Sequence, residues 1–147
     1  TLIKYSIDSD PIMANTEQIN DFLENHFPQC KTRATKIENR FASVFHKIDD
    51  GDLRPGGTVS GPVIFAVADA AMYIAILGAI GLVPLAVTTN ININFLNKPV
   101  AHANLTAQCR LIKVGKKLII GDVFIYSVGQ DDAVAHATGT YSIPPKK

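Results

Sequence analysis

One carboxylate stands where its surroundings would exclude it. In the stretch VSGPVIFAVADAAMYIAIL, Val59 to Leu77, every side chain from Pro62 onward is apolar except Asp69. An ionised carboxylate buried without partners costs several kcal/mol, so Asp69 must be either paired or used. The pairing choices are Arg54 or a neighbouring hydroxyl. Few other residues offer chemistry. Ser60 has no histidine at a spacing that would activate it, and it reads as the N-cap of a helix. The turn Val114, Gly115, Lys116 and Lys117 carries two ammoniums that can meet phosphates or simply be solvated. The histidines His26, His46, His102 and His136 form no HxxxH or HExxH pattern, Cys30 and Cys109 form no CxxC, and no metal site is expected. The glycine-rich GGTVSG lacks the Lys-Ser/Thr of a phosphate loop.

The bulk of the chain narrows what Asp69 could serve. At 147 residues with a formal charge of +1 and no Lys/Arg run longer than a pair, the chain suits one domain, residues 1–147, with a sizeable core and no nucleic-acid or membrane-surface footprint. Small molecules or copies of itself are the expected partners. Two distant cysteines suit a reducing compartment. The N-terminal TLIKYSIDSDPIM has no signal-peptide core, and the apolar run Val63 to Leu77 is 15 residues broken by Asp69, short of the ~20 that span a membrane. A soluble, cytoplasmic protein is expected.

The elements that must position Asp69 follow from periodicity. Ile19, Phe22, Leu23 and Phe27 recur at helical spacing over residues 15–27, with Asn15 or Thr16 as cap and Pro28 beyond the end. Residues 32–48 read as one or two strands. The Gly- and Asp-rich loop Ile48 to Pro62 leads into a helix over 61–77, with Pro62 in its first turn and Gly78 as its stop. The period then becomes 2, putting Val87, Thr89, Ile91, Ile93 and Phe95 on a core face and Thr88, Asn90, Asn92 and Asn94 on a polar one. Runs 104–113, 118–127 and 134–143 follow, joined by the hairpin turns VGKK and GQDD. A helix apolar nearly all round must be wrapped, and a strongly curved antiparallel sheet can wrap it.

The blocks LRPGGTVSGPVIFAVADAAMYIAIL, AVTTNININFLNKP and LIKVGKKLIIGDVFIYS together resemble the PaaI-like hotdog-fold acyl-CoA thioesterases, over roughly Ile48 to Pro144. The resemblance implies an α+β hotdog protomer, a curved antiparallel sheet wrapped around a long central helix. It also implies homodimers joined sheet edge to edge, commonly paired into dimers of dimers, and hydrolysis of an acyl-CoA thioester at the subunit interface without a cofactor. In that family the helix opens with His-Gly-Gly and carries an acid further along. The first glycine falls on Gly61 and the acid on Asp69, while Ser60 stands at the histidine, Pro62 at the second glycine and Arg54 at an upstream asparagine.

Thioester hydrolysis needs a donor at the carbonyl oxygen and a base or nucleophile at its carbon. The Gly61 N–H, at a helix N-terminus, suits the first role; Asp69 suits the second, as base or as nucleophile. Eight residues of helix separate the two by about 12 Å, so one site must draw them from different chains. Thr88 matches a hydroxyl position that assists in some relatives. Asn90, Asn92 and Asn94 could hold the pantetheine arm, and Gly115, Lys116 and Lys117 the nucleotide phosphates. Phe65, Ala66, Ala70, Ala71 and Tyr73 suggest an apolar acyl pocket. Two other functions stay open: a non-catalytic acyl-CoA binder, and a hotdog dehydratase or hydratase, against which the missing histidine at the helix start argues.

Overall fold

The computed structural model describes residues 11–145; residues 1–10, read above for a signal peptide, lie outside them. Helix α1, Thr16–His26, starts at Asn15, whose side chain accepts from the Gln18 N–H while the Gln18 side chain accepts from the Asn15 N–H, a reciprocal cap. Strands β1, Arg33–Glu38, and β2, Phe41–His46, form a tight hairpin with Arg40 at positive φ. A 3-10 turn, Asp50–Asp52, precedes helix α2, Gly61–Ile80, and strand β3, Val87–Phe95. Strands β4, Leu105–Val114, β5, Leu118–Ser127, and β6, Ala135–Ser142, complete the sheet. Its order is β1-β2-β4-β5-β6-β3, antiparallel throughout. The expected turns VGKK and GQDD do join β4 to β5 and β5 to β6.

α2 lies across this sheet and fills the core. Ile64, Val67, Ala68, Ala71, Met72, Ile74 and Leu77 are buried against β2, β4 and β5. The fit depends on two glycines that face each other on β5 and β6, Gly121 and Gly139. A Cβ on Gly121 would stand 2.9 Å from Met72 Sδ, closer than van der Waals contact allows. By length and composition α2 could cross a membrane; in this fold it is the core helix.

Two expectations about elements are corrected. The helix does not stop at Gly78 but runs to Ile80, and Gly81, at φ 101°, ends it by donating to the Leu77 carbonyl. Gly78 is a packing residue: a Cβ there would lie 2.7 Å from Ile37 Cγ2 on β1. The simple alternation along β3 also fails at its start. The register with β6 slips between Thr88 and Asn90, and such a bulge turns the side chains before it onto the other face. Thr88 therefore reaches inward to Asp69, on the side where Ile91 packs against Gly139, and does not share a face with Asn90 and Asn92.

Candidate active site

Asp69 sits in the middle of α2, half-buried, and is paired by two hydroxyls. Thr88 Oγ1 donates to Asp69 Oδ1 at 2.7 Å, and Tyr141 OH donates to the same Oδ1 at 2.6 Å. Tyr141 comes from β6, 72 residues away, and is 4% exposed. Burial first, and then the negative charge of Asp69, push its phenol well above the ordinary tyrosine value, so it remains a donor. Arg54 makes no ion pair with Asp69. Of the two pairing choices the fold takes the hydroxyls.

Asp69 opens onto a cavity of about 720 Å³. One wall is aromatic and aliphatic, with Phe22, Phe27, Val63, Ala66, Ala70 and Tyr73. Tyr73 stacks on Tyr141 with ring centroids 6.2 Å apart, meets Phe27 edge-on, and donates to the Val83 carbonyl at 3.3 Å. Burial pushes its phenol up, so it too stays protonated. Such a surface accepts an apolar group.

The other wall is polar and closed on itself. Asp52 Oδ2 takes Lys31 Nζ at 2.8 Å and the Asp49 N–H at 3.0 Å, and Lys31 also pairs with Asp49. Burial alone would raise the Asp52 carboxyl, but the Lys31 bond, the Asp49 N–H and nearby charge outweigh it and hold it below the usual range. His46 is buried, bonded through Nδ1 to Thr32 Oγ1 at 3.0 Å, with Nε2 3.7 Å from Asp52. Burial pushes its imidazole down, outweighing the pull of Asp52. Cys30 lines the same wall, and burial raises its thiol.

Gly61 lies elsewhere, in a second cavity of about 680 Å³ with Arg54, Phe95, Lys98 and Ile64. Its N–H finds no acceptor among the described residues. Ser60 occupies the N-cap position, yet its side chain makes no capping bond, contrary to the reading of it as a cap. The reason is local: Pro62 has no N–H to offer, and the Val63 N–H goes to the Ser60 carbonyl at 3.1 Å. The first turn thus leaves one N–H and one hydroxyl uncommitted.

The remaining expected site residues are not gathered here. Asn90 and Asn92 are exposed on β3 and line neither cavity. Nor do Gly115, Lys116 and Lys117, whose turn caps the β4–β5 hairpin with Gly115 N–H bonded to the Leu118 carbonyl. Tyr141 was missed, because nothing in ATGTYSIP distinguishes it from any half-buried strand tyrosine. No group of three or more metal-ligating side chains occurs among the described residues.

The chain is similar in sequence and fold to known proteins. Residues 56–134, more than half the chain, match the family model described as Thioesterase superfamily. A crystal structure from Silicibacter sp. TM1040, named a "putative thioesterase", superposes with a TM-score of 0.84 at 37% identity over 91% of this chain and 94% of that one. The E. coli PaaI protein from the phenylacetic acid degradation operon gives 0.74 at 20% identity over 91% and 99%. A Saccharolobus solfataricus protein named a "putative esterase" is 29% identical over 89% of this chain and 87% of its own. With its six-stranded sheet around one long helix and these matches, the chain has the hotdog fold and belongs to the thioesterase superfamily.

Proposed function

We propose that this protein is an acyl-CoA thioesterase in which Asp69 supplies the base or nucleophile and the Gly61 N–H binds the carbonyl oxygen. One observation carries the reading. The only charged side chain on α2 lines an aromatic-walled cavity, while Gly61 of the same helix, whose N–H is uncommitted among the described residues, lines a different one. Along a helix the two are about 12 Å apart, too far to meet one thioester, so each chain carries half of two sites.

The missing half comes from a second copy. β3 is an edge strand, and Val87, Phe95 and Leu96 on and after it are exposed, as is Phe65 on α2. A homodimer formed along β3 satisfies the free edge and covers this apolar surface; pairing of two such dimers is the expected higher assembly. The acyl group then lies against Phe27, Ala66, Ala70 and Tyr73, and the carbonyl reaches Gly61 of the other copy. Ser60 and Arg54 flank that donor and contact the thioester or the pantetheine arm. Thr88 steadies Asp69, and Asn90 and Asn92 on the shared edge lie along the arm. The turn Gly115 to Lys117 meets the nucleotide phosphates. The reading takes the cytoplasm as the compartment, in keeping with the free thiols of Cys30 and Cys109.

The decisive experiment is a panel of acyl-CoAs assayed for release of free thiol. Aliphatic and aromatic acyl groups of increasing size should give turnover with a clear optimum, set by the cavity. Saturable binding across the whole panel with no thiol released would leave an acyl-CoA binder and overturn the enzyme.

A further inference from the structure

Both hydroxyls that reach the Asp69 carboxylate end on the same oxygen, and the Tyr141 hydroxyl lies farther, at 3.2 Å, from the Asp69 backbone carbonyl. Thr88 and Tyr141 donate to Oδ1, and Oδ2 accepts no hydrogen bond among the described residues. At 2.6 Å the Tyr141 contact has the length of a charge-assisted O–H···O⁻ bond. A carboxylate held by one oxygen cannot rotate freely about Cβ–Cγ, and its second oxygen faces a fixed direction. The two donors are not equivalent. Thr88 sits on the edge strand β3 and is exposed in the single chain. Tyr141 is enclosed by its own chain, stacked on Tyr73 and held on a central region of the sheet between β5 and β3.

We infer that Tyr141 is the positioning residue of the site: its hydroxyl pins Asp69 Oδ1 and thereby makes Oδ2 the oxygen that reacts. This rests on the proposed role of Asp69. In the base form of the mechanism, Oδ2 takes a proton from water and the water oxygen attacks the thioester carbon. The C–S bond then breaks, and the proton passes from Oδ2 to the leaving thiolate. The tyrosine exchanges no proton in this sequence, in keeping with a phenol that burial and the neighbouring carboxylate keep protonated.

The test is a double-mutant cycle of Tyr141→Phe and Asp69→Asn, with kcat and KM measured on the best acyl-CoA from the panel. Phenylalanine keeps the ring stack and removes the donor. Tyr141→Phe should lower kcat by about ten- to a hundredfold, the loss expected when a reacting group is displaced by an ångström, with KM within about twofold. Because the tyrosine acts through the carboxylate, it should have almost no further effect in the Asp69→Asn background. Undiminished kcat in Tyr141→Phe, a change in KM alone, or an equal loss in both backgrounds would each overturn the assignment. If Asp69→Asn itself keeps full turnover, it is the catalytic reading of Asp69 that fails. The hold of Tyr141 is then judged from a crystal structure of Tyr141→Phe, where an unmoved Asp69 carboxylate refutes it and one turned away from β6 supports it.

Discussion

Two aspartates line the same cavity and are treated in opposite ways. Asp52 is buried in a closed network, bonded to Lys31, faced by His46, and tied through its backbone carbonyl to the Ser60 N–H. Its charge is neutralised and its backbone anchors the approach to α2. Among the described residues the Asp69 carboxylate is met by hydroxyls only, both on Oδ1, and Oδ2 accepts no hydrogen bond. A carboxylate matched by a cation holds structure, and one oriented by hydroxyls remains available for reaction. The same residue type therefore serves architecture at one wall and, in the proposed mechanism, chemistry at the other.

The largest effect should come from the open carboxylate. Asp69→Asn should fold and lose kcat by about a hundredfold or more, as expected for removal of a positioned base; steady-state kinetics with circular dichroism checks both. Full turnover in the folded variant would erase the distinction between the two aspartates.

Next in size is recovery of activity in mixed dimers. Gly61→Pro removes the donor N–H; proline is favoured at a first helical position, and a Cβ there meets the Phe95 ring, at 3.6 Å from Cζ and 3.9 Å from Cε1, an ordinary contact. Gly61→Pro and Asp69→Asn homodimers should each be nearly inactive. Refolded together at random, about half the dimers carry one intact site of two, restoring roughly a quarter of wild-type activity if each complete site draws on both chains, as the ~12 Å helix spacing requires. Purified heterodimers that remain inactive would mean that the site is not shared.

Asp52→Ala should do the reverse of Asp69→Asn. With the bonds to Lys31 and the Asp49 N–H gone, stability should fall by about 2 kcal/mol, read from denaturant midpoints, while kcat of the folded fraction stays within about threefold. A hundredfold loss of kcat would place Asp52 in the chemistry.

The smallest effect is a dependence on pH from the closed wall. His46 titrates lower in the folded chain than the ordinary histidine value of about 6.5, so the unfolded chain binds the proton first. The stability it contributes is present above that ordinary value and is lost as pH falls through the folded one. Asp52, also depressed, contributes stability that is present above the ordinary aspartate value and lost only at still lower pH, so the windows separate. The denaturant midpoint should decline from pH 7 to pH 5, and His46→Phe should flatten that decline. A wild-type midpoint that is level across this range would deny the burial of a neutral imidazole.

Much of this was legible in the chain before folding. The cap at Asn15, the apolar helix and the hairpin turns are local signals, and each is found at or close to where periodicity and turn chemistry put it, the helix running on past Gly78 to Ile80. The anomaly of Asp69 was legible too, because a charge in an apolar helix violates a rule that any sequence displays. The family resemblance pointed to Thr88, but alternation put it on the face of Asn90, and a bulge turns it to Asp69.

What the sequence by itself determined is everything governed by the geometry of one element. The rise of a helix sets Gly61 and Asp69 too far apart for one thioester, whatever surrounds them. Only the tertiary structure decided which groups meet that carboxylate. Tyr141 is 72 residues distant and reaches Asp69 because β6 lies beside β3 in the sheet, and Gly78 is spared a side chain because β1 passes within contact of α2. The pairing of strands remote in sequence is settled by burial of the whole core at once, and no local pattern of residues encodes it.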